Sequence, residues 1–138
     1  HDVRDLVARD AAGQSHDDAL AAAGGEVEDL RAELARATAT VRKATEWLNG
    51  SDDVQARMAG ATPYQDMLGT LAGGYYLARQ AVAAIEAGTE DPWMAAKVAT
   101  ARFYGVNILP KVHGMLDSVV AGPELLFAID DELIGTSA

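Results

Sequence analysis

The run from Ala95 to Pro110, AAKVATARFYGVNILP, constrains the fold more than any other part of the chain. Its polar residues recur at alternating steps of three and four, so on a helix they form one narrow stripe. The rest of its surface is apolar or small. A helix with this pattern must be covered on most sides, and we expect it at the centre of a helical bundle. The polar stripe consists of Lys97, Thr100, Tyr104, Asn107 and Lys111.

The same helix is predicted to begin at Asp91-Pro92 and to continue to Gly122-Pro123. Pro110 lies inside the pattern, and because proline lacks an N–H and clashes with the preceding turn, we expect a kink between Val106 and Pro110. Two apolar stripes indicate burial on two sides, so Phe103 is expected in the core unless it faces a partner. The first stripe is Ala96, Ala99, Phe103 and Val106, and the second is Val98, Ala101, Gly105, Ile108, Val112, Met115 and Val119.

Two further long helices are predicted, from about Glu26 to Leu48 and from Pro63 to about Ala87. Thr62 and Pro63 form a strong helix start, and a separate short helix is expected between 51 and 60. Short helices are also expected within 1–14 and from Ser15 to Ala23. The apolar positions of the two long helices alternate by three and four residues. They are Val27, Leu30, Leu34, Ala37, Val41, Ala44 and Leu48, then Tyr64, Leu68, Leu71, Tyr75, Ala78, Val82 and Ile85.

These patterns predict an all-α protein, an antiparallel up-and-down bundle of three long helices with shorter ones. A net charge of −10 disfavours nucleic acid and anionic membranes as partners, and no apolar run is long enough to span a bilayer. The chain has no cysteine, which excludes disulfides and suits a reducing, cytoplasmic compartment. Its start at His1 suggests a fragment, a processed chain or the remnant of a tag.

Residues with chemical potential do not form a catalytic pattern. The acidic cluster Glu26, Glu28, Asp29 and Glu33 is best interpreted as the solvated face of a helix, because the Glu-x-x-His motif of metal-binding bundles is missing. His113 is expected to form a surface or partly buried hydrogen bond with Asp117, four residues on. His1 and His16 are expected at a flexible terminus and in a capped turn. No Ser-His-Asp or Cys-His grouping supports nucleophilic catalysis, and we predict no catalytic, cofactor-binding or metal-binding residue.

The candidate site is instead an interface. Gly69 and Gly73 share one face of the second long helix, and glycines there cost helix stability, about 1 kcal/mol each. Close approach of another helix is the favoured reason, and close approach of a ligand is the alternative. The polar stripe could meet a polar ligand, a neighbouring domain or solvent. The candidate domain or dimer interface is Phe103, Tyr104, Asn107, Lys111, Gly69 and Gly73.

Four segments resemble one known family. KVATARFYGVNILPKV, from Lys97 to Val112, resembles the A-K-x-A-T-A-R-F-Y-x-x-x-I-L-P segment near the C-terminus of long bacterial acyl-CoA dehydrogenases. YQDMLGTLAGGYYLARQAV (64–82) resembles the preceding helix, and DSVVAGPELLFAI (117–129) resembles the closing stretch. VRDLVARD (3–10) is similar to the junction at which the dehydrogenase core ends. The sequence departs from the common pattern at Gly105 and Pro123, where local packing could change.

The resemblance implies a C-terminal helical domain of an FAD-dependent enzyme of fatty acid β-oxidation. It divides the chain into a junction (1–14), a bundle (15–129) and a tail (130–138). In the parent enzyme a glutamate of the core would take the α-proton of an acyl-CoA and flavin N5 the β-hydride, forming the trans-2-enoyl product. The FAD site and that glutamate would both lie upstream of His1. The domain itself would pack on the core and help to build a homo-oligomer, near the acyl or CoA channel.

A second hypothesis is a stand-alone, non-catalytic module that dimerises through the helix containing Ala95–Pro110. An all-α metal or redox bundle is disfavoured because the ligand pattern is missing. A reading frame that extends several hundred residues upstream would distinguish the dehydrogenase domain from the stand-alone module.

Overall fold

The computed structural model describes Asp18, Ala21 and residues 25–135, apart from the side chain of Glu26. The helix predicted within 1–14 lies outside the described residues, and of the one predicted after it only Asp18 and Ala21, both helical, are described. Residues 25–135 form a 3-10 turn at Gly25–Val27 and then α-helices. These are α1 (Glu28–Gly50), α2 (Val54–Ala87), α3 (Pro92–Asn107), α4 (Lys111–Val120) and α5 (Asp131–Ile134).

The packing of α1 on α2 is antiparallel. Leu34, early in α1, lies against Gly74 in the second half of α2, whereas Leu48, late in α1, lies against Gly60 near the start of α2. The missing side chains at the two glycines let α1 approach closely at both levels.

The following helices return along α2 in the opposite direction. Tyr104 of α3 lies over Gly73, and the carbonyl of Val119 in α4 lies over Gly60. The chain therefore runs up through α1, down through α2 and up through α3 and α4. The predicted antiparallel bundle is confirmed.

The predicted kink at Pro110 is a complete break between two helices. α3 ends at Asn107 and α4 begins at Lys111. The backbone N–H groups of Ile108 and Leu109 both donate to the carbonyl of Tyr104, which closes the last turn of α3. The break turns Leu109 into the core, where it is fully buried against Gly74.

The core lies between α1, α2 and the α3–α4 pair. The apolar stripe predicted for α1 and the turn before it is confirmed from Val27 to Ala44, whose members are all buried, and its last member, Leu48, is partly buried against the core. The buried residues of α2 are mostly small, with Met67 as the largest fully buried side chain. Of the apolar stripe that was predicted for this helix, only Leu71 and Ala78 are buried. Small side chains allow α2 to sit close to both neighbours, so its larger apolar residues lie at the edges. The buried residues of α2 are Ala56, Gly60, Met67, Leu71, Gly74, Ala78, Ala81 and Ala84.

The predicted start of a helix at Thr62 and Pro63 is wrong. α2 begins at Val54, capped by the Asp53 carboxylate accepting from the Gln55 N–H at 2.9 Å, and runs through Pro63. An interior proline costs roughly 3 kcal/mol. Burial of Gly60 against Leu48 of α1 and Val119 of α4 favours keeping this first part of α2 in line with the rest, so tertiary packing overrides the local signal for a helix start at Pro63.

The chain leaves the bundle at Gly122, whose φ of 79° lies in the left-handed region. The segment that follows forms one turn, with the Leu126 N–H donating to the Pro123 carbonyl at 3.0 Å, and then the short helix α5. Its side chains are exposed.

Candidate interaction surface

The outer side of α3 carries an uncovered apolar face, which we call the α3 face: Trp93, Ala96, Ala99, Phe103 and Val106. Trp93 is 76% exposed, Phe103 60% and Val106 58%. The expected core position of the first stripe is therefore wrong, and the alternative, that Phe103 faces a partner, stays a prediction. α3 has α1 and α2 on one side only, and its second stripe (Val98, Ala101 and Gly105) takes up that contact.

Cations lie on both flanks of the α3 face. Lys97 borders one edge and Arg102 the other, and no acidic residue occurs between Pro92 and Leu116. Arg102 is half exposed and forms an ion pair with Asp29 of α1 at 3.6 Å. Such exposed pairs contribute little to stability, so both cations remain able to attract a negative partner.

The polar stripe of α3 is only partly engaged. The Tyr104 hydroxyl donates to the Thr70 carbonyl of α2 at 2.9 Å, and burial raises the pKa of this phenol. The Asn107 amide donates back to the Phe103 carbonyl at 3.0 Å, so it is satisfied within its own helix. Lys111 is exposed at the start of α4.

The candidate glycines differ from each other. Gly73 lies under Tyr104, which confirms the close approach predicted there. Gly69 has no atom within 4 Å of an added Cβ, so the same prediction is wrong at that position. Gly69 and Tyr104 instead line a shallow depression of about 520 Å³, open to solvent. Its other lining residues are Gln65, Asp66, Thr70 and Met115.

The depression does not suit the FAD that the family resemblance implies. The pyrophosphate of FAD requires cations or a helix N-terminus. The lining offers the Asp66 carboxylate and no cation, and Gly69 lies in the middle of α2. We therefore assign no flavin contact to this depression.

A buried polar network connects α1 to α4. Glu33 is 7% exposed, and its carboxylate accepts from Nε2 of His113 at 2.8 Å and pairs with Arg36 at 2.9 Å. The other ring nitrogen of His113, Nδ1, lies 2.7 Å from the Thr40 hydroxyl.

Two predictions are corrected by this network. Glu33 does not belong to the solvated face, although Glu28 and Asp29 do, and His113 is held by α1 and not by Asp117. Sequence reasoning missed the pair because its members are 80 residues apart. The sequence did contain a signal: Glu33 directly precedes Leu34 and follows Leu30 by three residues, so it borders the apolar stripe of α1. Over the described residues, no group of three or more acidic, histidine or cysteine side chains could hold a metal ion.

The structure thus divides five of the six candidate interface residues between two places, and the sixth, Lys111, lies at the start of α4. Gly69, Gly73 and Tyr104 lie together between α2 and α3, where Gly73 and Tyr104 serve helix packing. Phe103 lies on the α3 face, with Asn107 at its border. Sequence reasoning missed Trp93, whose exposure beside Phe103 extends the face to the start of α3.

Comparison with known proteins supplies the remaining findings. A family model described as "Acetyl-CoA dehydrogenase C-terminal like" matches residues 1–130. Searches of curated proteins and of solved structures found no significant match. None of the helices in the described part of the chain is long and apolar enough to cross a membrane.

Proposed function

Because the chain belongs to the acetyl-CoA dehydrogenase C-terminal-like family, we propose that it is the packing and oligomerisation domain of an FAD-dependent acyl-CoA dehydrogenase. The parent enzyme oxidises an acyl-CoA to the trans-2-enoyl-CoA in fatty acid β-oxidation. Its dehydrogenase core precedes residues 1–14, which serve as the junction. The enzyme works in the cytoplasm, in keeping with a chain that has no cysteine.

The observation that carries the proposal is the α3 face. Trp93 and Phe103 expose most of their rings on one side of a helix whose other side is fully packed. A contiguous apolar patch of this kind typically marks an interaction surface. Aromatic side chains on a rigid helix are also the residues that contribute most to binding energy.

The chemistry belongs to the core. FAD would supply the acceptor for the hydride there, and no residue of this chain is assigned a step in the reaction. The role of the bundle is structural. Its preformed α3 face packs on a neighbouring unit of the enzyme, and burial of apolar surface from water stabilises the assembly.

The test uses the full-length enzyme encoded by the gene. Phe103→Asp introduces a charge at the centre of the α3 face and should lower the melting temperature of the flavin-loaded enzyme and weaken its subunit association. Met58→Asp is the matched control, since Met58 is 72% exposed and lies in the first part of α2, whereas Tyr104 of α3 lies over Gly73 in its second half. It should leave both quantities unchanged.

Two results would overturn the proposal. One is a reading frame that starts at this domain, which would favour the stand-alone dimerisation module. The other is a full-length enzyme in which Phe103→Asp and Met58→Asp behave alike. Flavin binding or acyl-CoA oxidation by residues 1–138 alone would contradict the assignment of the chemistry to the core.

A further inference from the structure

We propose that the partner of the α3 face is the acidic C-terminal segment of a second copy of the chain, exchanged reciprocally between two protomers. The C-terminal segment is defined as residues 123–135. The inference rests on the proposed function in one respect, namely that the α3 face is an interface. What it adds is the identity of the segment that covers this face.

The C-terminal segment has the apolar surface that an occupant needs. Its apolar side chains are 60–84% exposed, although residues of this type are usually buried. The segment also has local order: the turn at Pro123 and the helix α5, capped by the Asp130 carboxylate accepting from the Glu132 N–H at 3.2 Å. The side chains concerned include Leu125, Leu126, Phe127, Ile129 and Ile134.

The charges of the two surfaces are complementary. The C-terminal segment carries acids and no cation, whereas the stretch from Pro92 to Leu116 carries cations and no acid. Lys97 and Arg102 lie on opposite flanks of the apolar centre of the α3 face, so an apolar ridge with acidic edges fits between them. In a chain of net charge −10 this is an unusual local excess of positive charge. The acids are Glu124, Asp130, Asp131 and Glu132.

The described structure favours a second copy over the chain's own segment. In the single chain, Phe103 and Trp93 remain exposed and so do Leu125 and Phe127, so the segment does not fold back over its own α3 face. Gly122, with its positive φ, ends the path of α4, and the segment begins directly after it.

Two-fold symmetry makes the exchange efficient. If the segment of one protomer covers the α3 face of the other, the reverse contact forms as well, so that each dimer contains the same contact twice. Exchange of a terminal segment also needs no change inside the bundle, because the core residues of α1, α2 and α4 take no part in it.

The test measures association of the 138-residue chain by sedimentation and light scattering. The wild-type chain should dimerise, whereas a chain ending at Gly122 and the Phe103→Asp variant should each be monomeric or associate at least about tenfold more weakly. Circular dichroism should show that Phe103→Asp keeps the wild-type helix content and that the chain ending at Gly122 loses no more helix than α5. Met58→Asp should dimerise like the wild type.

Mixing supplies the decisive comparison. The truncated chain keeps an intact α3 face, and the Phe103→Asp chain keeps an intact segment. An equimolar mixture should therefore form a heterodimer with one of the two contacts. Dimerisation should also weaken as salt rises from about 0.05 to 0.5 M, since screening reduces the attraction of Lys97 and Arg102 for the segment.

The outcomes separate this inference from the proposed function. A truncated chain that dimerises like the wild type, or a mixture that stays monomeric, would overturn the exchange and leave the α3 face free to pack on the dehydrogenase core. A wild-type chain that stays monomeric at about 100 µM would also overturn it. Failure of the proposed function would appear in the full-length enzyme, as an absent effect of Phe103→Asp there.

Discussion

The hydroxyl oxygen of Tyr104 occupies the space that a side chain at Gly73 would need. An added Cβ at position 73 would lie 2.5 Å from this oxygen and 3.1 Å from Cζ of the ring. The same hydroxyl donates to the Thr70 carbonyl, one turn earlier in α2. Gly73 therefore lets α3 lie close enough to α2 for a hydrogen bond between the helices.

Substitutions at the two candidate glycines should have opposite effects. Gly69→Ala should stabilise the fold by about 0.5–1 kcal/mol, because helix propensity improves and the added Cβ meets nothing. Gly73→Ala should destabilise it by about 1 kcal/mol net, because displacement of Tyr104 outweighs the same gain. Chemical denaturation measures both. In a Tyr104→Ala background Gly73→Ala should become stabilising, and a persistent cost there would contradict the explanation.

Loss of His113 should destabilise the bundle through Glu33. His113→Ala leaves a buried carboxylate without its partner from α4, and we expect a cost of about 2 kcal/mol in the free energy of unfolding. Asp117→Ala is the control and should change stability by less than about 0.5 kcal/mol. A double-mutant cycle with Glu33→Gln should show coupling between Glu33 and His113, and additive effects would count against the pair.

Alanine substitutions at Phe103 and at Leu109 should show that Leu109 belongs to the core and that Phe103 lies on an exposed surface. Leu109→Ala should cost about 2–5 kcal/mol, since its side chain is fully buried. Phe103→Ala should cost less than about 1 kcal/mol when the chain is dilute enough to be monomeric, since most of its ring is exposed. Thermal unfolding of both variants checks the contrast. Equal losses of stability in the two variants would indicate that Phe103 belongs to the core.

The raised pKa of Tyr104 predicts a loss of stability in alkali. Burial disfavours the phenolate, so the folded chain keeps this proton above the ordinary value of 10.0, at which the unfolded chain releases it. The contribution is therefore fully present below pH 10.0 and is lost as pH rises through the folded value. As pH rises above 10.0, Tyr104→Phe should lose less stability than the wild type. Parallel pH slopes for the two proteins would exclude Tyr104 as the cause.

Periodicity predicted those elements of the fold that depend on a single apolar stripe. The alternation from Val27 to Ala44 placed all the apolar residues of this stretch on one face, and that face is buried in the structure. Around Pro63 the local signal for a helix start was misleading, because the packing of Gly60 on Val119 depends on a helix almost 60 residues later in the chain. Propensity describes a segment alone and cannot include such a contact.

The candidate site was harder to predict for a related reason. α3 carries apolar residues on two opposite sides, and their spacing alone does not say which side the bundle covers. The small side chains of Ala101 and Gly105 admit a closer neighbour than Phe103 and Val106 do, as the contact of Gly105 with Leu30 shows. Size as well as hydrophobicity thus determined which side became core.

The short connection at 88–91 between α2 and α3 has a consequence for the order in which the bundle folds. Closing it costs little entropy, whereas joining Glu33 to His113 closes a loop of 80 residues. We expect the α2–α3 hairpin to form the folding nucleus and the buried pair to close after the transition state. His113→Ala should then accelerate unfolding and leave the refolding rate nearly unchanged in stopped-flow measurements. The hydrogen bond between Glu33 of α1 and His113 of α4 would then slow unfolding of the native state and would not set the rate at which the bundle assembles.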